Sequence, residues 1–104
     1  MIRLDDEPVG NVMYWNTGDA WEMGWGVLSA FQGRGIATSA VLLALALARA
    51  EGPFRSVHAV PRVSNLASNA VCRKAGFVLA STEESEYPPG VWALSNDWVY
   101  DLEQ

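Results

Sequence analysis

Apolar side chains come in short runs over the first third of the chain and in one long run through its middle. Met1 to Leu4 predicts a short strand, and Asp5-Asp6-Glu7-Pro8 is turn chemistry. Val9 to Trp15, rich in β-formers, reads as its hairpin partner. Asn16-Thr17-Gly18-Asp19 is the next turn, and Trp21 to Leu28 predicts a third strand. Gly24 and Gly26 are costly inside that strand unless a bulge or an approaching ligand needs the space.

From Gly35 to Ala50 the period changes. This stretch has no proline and is dominated by Ala and Leu, so it predicts a helix. Arg49 is its only internal charge, so no broad polar face exists and the helix is expected to be covered on more than one side. Glu51-Gly52-Pro53 ends it. Ser56 to Val60 predicts a buried strand. Ser64 or Asn65 can cap a second helix from Leu66 to about Ala75, stopped by Gly76. Phe77 to Thr82 predicts a strand, Glu83 to Gly90 an acidic, proline-containing loop, and Trp98 to Leu102 a closing strand. The order βββ-α-β-α-β-β predicts an α+β domain with a mixed sheet and helices in a three-layer arrangement.

Composition narrows the function classes. With 104 residues, half of them apolar, the chain fits one domain and not a disordered segment. Seven basic against twelve acidic residues give a net charge of −5, which disfavours nucleic acid as a partner. The single cysteine, Cys72, excludes an internal disulfide and a cysteine-rich metal site and suits a reducing cytoplasm. The longest apolar run, Ala40 to Ala48, falls short of the ~20 residues that span a bilayer. A cytoplasmic protein with neither membrane nor metal is the expectation.

Val27 to Thr38 carries the clearest chemistry: a strand, a glycine turn and a helix N-terminus. The first N–H groups of a helix lack intrahelical partners and the helix dipole adds positive charge, so this arrangement suits an anion. Gly33 and Gly35 let backbone approach a phosphate closely. Such a turn also serves simply to join strand and helix. A P-loop is excluded because no Gly-Lys-Ser/Thr follows. A dinucleotide fingerprint is weak: Thr38 stands at the third glycine, and Ser56 to Val60 ends without an acid.

Gln32-Gly33-Arg34-Gly35-Ile36-Ala37 instead resembles the Q/R-x-x-G-x-G/A signature of the GNAT superfamily, the acetyl-CoA-dependent N-acetyltransferases. Asn65 to Phe77 is similar to that family's N-x-x-S-x-x-V-x-x-K-x-G-F helix, as in the branch of ribosomal-protein alanine N-acetyltransferases. The resemblance implies a GNAT-like, mostly antiparallel sheet. It also implies that Val27, Leu28 and Ser29 pair with pantetheine and that a bulge near Gly24 and Gly26 splays their strand from that of His58. Backbone from Gly33 to Thr38, flanked by Gln32 and Arg34 and including Gly35, Ile36 and Ala37, would hold the pyrophosphate. Asn65, Asn69, Arg73 and Lys74 complete the implied cofactor set. Arg34, Arg73 and Lys74 are three of only seven basic residues, the local concentration an acidic protein needs for a polyanion.

The implied activity is transfer of an acetyl group from acetyl-CoA to a primary amine: a small amine, a protein N-terminus or a lysine. Transfer needs an acceptor for the amine's proton and a donor for the leaving thiolate. Many family members place a tyrosine seven positions after the leading Asn; here that position is Cys72, with Ser68 and Asn69 as polar alternatives nearby. For the base, Glu22 and His58 are both candidates; each also has an ordinary structural reading, as an exposed or a packed strand residue. Relative to the resemblance, the chain is read as a single truncated domain lacking a first strand and two helices. Trp15, Trp21, Trp25, Trp92 and Trp98 make bare apolar surface costly, so a homodimer that completes the acceptor site is expected. A non-catalytic acetyl-CoA-binding module, acting as sensor or subunit, is the alternative.

Overall fold

The computed structural model describes residues 2–4, 7–27, 35–86 and 88–103. Strands β1 (Ile2–Leu4), β2 (Glu7–Asn16) and β3 (Trp21–Val27) are followed by helix α1 (Ile36–Glu51). Then come β4 (Ser56–Ala59), α2 (Leu66–Ala75), β5 (Val78–Glu86) and β6 (Trp92–Asp101). They build one six-stranded sheet in the order β1-β2-β3-β4-β6-β5. Every neighbouring pair is antiparallel except β3 and β4. Element order and mixed sheet match the sequence expectation.

Strand alternation separates two faces. Trp21 and Met23 of β3, Val57 and Ala59 of β4 and Trp98 of β6 form the core with Val41, Ala44, Leu45 and Ala48 of α1. Cys72 and Ala75 of α2 join the same cluster, so both helices cover one face and the described residues form two layers. Tyr14 and Phe54 meet Trp21 edge-on, with centroids 5.1 and 5.2 Å away. The Tyr14 hydroxyl donates to Glu51 at 2.7 Å, a bond that raises the phenol above its ordinary pKa. On the opposite face, Trp15, Glu22, His58, Val99 and Val78 form a row of register partners across β2, β3, β4, β6 and β5.

Four expectations change. Helix α1 is covered on one side, and Leu42, Leu43 and Leu47 are exposed. The segment from Glu83 is not a loop: β5 continues to Glu86 because its backbone pairs with β6, which starts at Trp92 rather than Trp98. That ladder needs no burial, so exposed acidic side chains are compatible with it. There is no bulge at Gly24 or Gly26, because β2 and β3 pair in unbroken register. A Cβ at Gly24 would stand 3.4 Å from the Trp15 ring, so glycine there makes room for a cross-strand indole. The covered third layer has no counterpart among the described residues.

Candidate functional site

The parallel pairing of β3 and β4 is limited to Trp21↔Val57 and Glu22↔His58. Beyond it β3 runs on to Val27, whereas β4 stops at Ala59 and the chain turns at Val60-Pro61 to join the edge of β6, where Asn96 N donates to the Pro61 carbonyl. The sheet therefore opens between the two strands, and two cavities adjoin there.

The larger, about 330 Å³, lies between the end of β3, the start of α1 and one side of α2. Trp25, Gly26 and Val27 line it from β3, Gly35 to Thr38 from the helix start, and Asn65, Ala67, Ser68, Ala70, Val71 and Lys74 from α2 and its cap. Gly35 is the N-cap at φ +74°, a left-handed conformation that glycine adopts without strain, and no side chain caps α1. The first-turn N–H groups of a helix have no intrahelical partner, and here that turn lines the cavity. Lys74 is the one charged side chain among the described lining residues.

The smaller cavity, about 240 Å³, opens between the diverging strands and is lined by Trp15, Glu22, Met23, Gly24, Trp25, Ala59, Val60 and Pro61. Among the described residues that line it, Glu22 is the only charged one. Trp25, Asn65 and Ser68 line both cavities. The Trp25 indole N–H at that junction is buried and has no partner among the described residues.

The expected site residues divide accordingly. Val27, Gly35, Ile36, Ala37, Thr38, Asn65 and Lys74 line the larger cavity, and Glu22 the smaller. Leu28, Ser29, Gln32, Gly33 and Arg34 lie outside the described residues. Asn65 also caps α2, its Oδ1 accepting from Ser68 N at 3.1 Å, which leaves its amide NH₂ available. Arg73 is on a different side of α2 from Lys74, with its guanidinium 5.8 Å from the Trp98 ring centroid. Asn69 is buried and spends its polar atoms inside the protein, on Asn65, Arg62, Asn96 and Trp98. Cys72 is fully buried in the core, lines neither cavity, and burial pushes its thiol up to about 12. His58 lies beside Glu22 on the helix-free face and is hydrogen-bonded to Asp97. Sequence reasoning missed Trp25, Ala67, Ala70 and Val71 as lining residues; the last three recur at helical spacing with Lys74 on one side of α2.

Residues 1–78 match the family model described as the acetyltransferase (GNAT) domain. No curated protein matches the chain by sequence. Among solved structures, ribosomal L7/L12 alpha-N-protein acetyltransferase RimL is 28% identical at TM-score 0.71, covering 80% of this chain and 53% of its own. A structure of RimL in complex with coenzyme A is 26% identical at TM-score 0.80, covering 92% and 56%. The ribosomal-protein-S5-alanine acetyltransferase of Vibrio fischeri shares the fold at TM-score 0.83 and 21% identity, covering 96% and 57%. This chain thus spans little more than half the length of each. The family match over residues 1–78, three quarters of the sequence, places the chain in the GNAT acetyltransferase family.

Proposed function

We propose that the protein is an N-acetyltransferase that moves the acetyl group of acetyl-CoA to a primary amine of a small molecule, a protein N-terminus or a lysine. The observation that carries this reading is the pair of adjoining cavities at the β3–β4 opening. One offers a helix N-terminus and Lys74; the other offers Glu22. A long anionic thioester and a cationic amine need that separation of charge around a shared junction. The RimL complex with coenzyme A, and the microcin C7 immunity acetyltransferase MccE with acetyl-CoA and AMP at 23% identity, support the choice of co-substrate.

In this reading the pantetheine arm runs along β3 from Trp25 to Val27. Gly35 to Thr38 bind the pyrophosphate through backbone N–H groups, with Lys74 adding charge. Glu22 holds the acceptor ammonium, and Glu22 or His58 takes its proton. Ser68, at the junction, replaces Cys72 as the group placed to protonate the leaving thiolate. Holding amine and thioester together accounts for much of the rate.

The exposed apolar side chains Met13, Trp15 and Val60 beside the opening support a second copy of the chain as the missing side of the acceptor cavity, in a cytoplasmic homodimer. A strictly monomeric species by light scattering at tens-of-micromolar protein removes that part. The function itself is tested by a thermal-shift titration with acetyl-CoA and by thiol release with a panel of primary amines. Stabilisation with thiol release is expected. Stabilisation without release for any amine indicates a non-catalytic acetyl-CoA-binding module, and no response at millimolar acetyl-CoA overturns both.

A further inference from the structure

His58 is the only histidine of the chain, and its Nδ1 lies 2.8 Å from Oδ1 of Asp97. Sheet register brings them together across 39 residues of sequence. His58 is opposite Val99 in the β4–β6 ladder, and Asp97 is the next residue along β6 on that face, the diagonal cross-strand position. On the other side of His58 its register partner is Glu22, which lines the smaller cavity. Three titratable side chains from three adjacent strands therefore lie side by side on the helix-free face, Glu22 lining the smaller cavity and His58 and Asp97 following it across the sheet. The His58 and Asp97 side chains are 35% and 31% exposed, so the pair is reachable from solvent.

An ionised carboxylate only accepts hydrogen bonds, so the contact with Asp97 requires the proton on Nδ1. The neutral ring then carries its lone pair on Nε2, the nitrogen that Asp97 does not engage. An unconstrained histidine side chain favours the opposite tautomer. The cross-strand bond thus selects both the ring orientation and the nitrogen available as a base.

We propose that Asp97 is a positioning residue that presents His58 Nε2 as the proton acceptor for the amine, with Glu22 holding the ammonium beside it. This rests on the acetyl-transfer reading above. One N–H bond of the ammonium breaks and its proton passes to Nε2, directly or through water. The nitrogen pair so freed attacks the thioester carbonyl carbon and the C–S bond breaks. As the amide forms, the nitrogen gives up a second proton, and the thiolate is protonated to the thiol. His58 then returns its proton to solvent.

Because His58 is the only histidine, two-bond ¹H–¹⁵N NMR of the neutral side chain reads its tautomer without assignment. The Nδ1–H form is expected in the wild type and the Nε2–H form in Asp97→Ala; an Nε2–H wild type overturns the positioning role. In turnover, His58→Gln is expected to lower kcat by about 100-fold or more and Asp97→Ala by less, with KM for acetyl-CoA unchanged in both. Asp97→Asn, which retains an acceptor oxygen, should recover part of that loss. The pH–rate profile of His58→Gln should differ from that of the wild type, with Glu22 and Asp97 the described charged groups that still face that position. Variants that bind acetyl-CoA and retain the wild-type kcat and pH profile overturn the role in catalysis. A wild type that binds acetyl-CoA but acetylates nothing overturns the acetyl-transfer reading and the base role with it; the NMR result still decides whether Asp97 fixes the ring.

Discussion

Asn69 Oδ1 accepts hydrogen bonds from both Trp98 Nε1 and Asn96 Nδ2, each at 2.8 Å, tying α2 to β6 inside the protein. Its own amide nitrogen donates to the carbonyls of Asn65 at 2.7 Å and Arg62 at 3.0 Å, fixing the turn that leads into the helix. Asn69 therefore supports the second side of the larger cavity without touching it.

Asn69→Ala leaves a buried indole N–H without an acceptor and frees the turn before α2. Stranding buried polar groups costs about 1–3 kcal/mol each, so a loss of roughly 2–4 kcal/mol is expected. Urea unfolding measures it, and a change below about 0.5 kcal/mol, the range of ordinary surface substitutions, would contradict this assignment.

The helices were legible because their signals are local: Ala and Leu over Gly35 to Ala50, and Asn65 and Gly76 bracketing α2. The acidic stretch of β5 was not, because the ladder to β6 that holds Glu83, Glu84 and Glu86 extended depends on a partner strand rather than on composition. Gly35 and Lys74, singled out by their local motifs, both line the larger cavity. Asn69 looked like a cofactor ligand because its partners, Asn96 and Trp98, lie 27 and 29 residues away. Asp97 carried no signal at all until the β4–β6 register set it against His58.

Cys72 gives a pH prediction. Burial lifts its thiol from an ordinary 9.0 to about 12, against smaller lowering by its own backbone hydrogen bond and Arg73. The unfolded chain loses the proton first, so stability conferred by the protonated thiol is complete below pH 9 and is lost as pH climbs toward 12. Linkage sets the slope at no more than about 1.4 kcal/mol per pH unit in that window. Cys72→Ala should be less stable than wild type near neutrality, and the gap should narrow as pH rises above 9. Native protein should also resist thiol reagents that label it after unfolding.

Gly35 separates backbone strain from blockage of the site. At φ +74° any side chain is strained, yet no atom of a described residue lies within 4 Å of where a Cβ would stand. Gly35→Ala should cost about 1–2 kcal/mol of stability through the left-handed conformation. Gly35→Val should in addition abolish stabilisation by acetyl-CoA, because its branches fill the open space at the helix start that the pyrophosphate would occupy. Undiminished binding by a folded Gly35→Val variant would remove the pyrophosphate from this position.

Arg73 and Lys74 are neighbours with different work to do. Lys74 lines the larger cavity, whereas the Arg73 guanidinium stacks over Trp98. Lys74→Ala should therefore weaken acetyl-CoA binding by about 3- to 10-fold, with a flatter salt dependence and little change in unfolding. Arg73→Ala should lower stability by about 0.5–1 kcal/mol, the value of a partly exposed cation–π contact, and leave affinity near wild type. Isothermal titration at two salt concentrations, paired with urea unfolding, separates them. Reversed effects would mean that the cofactor runs along the Arg73 side of α2.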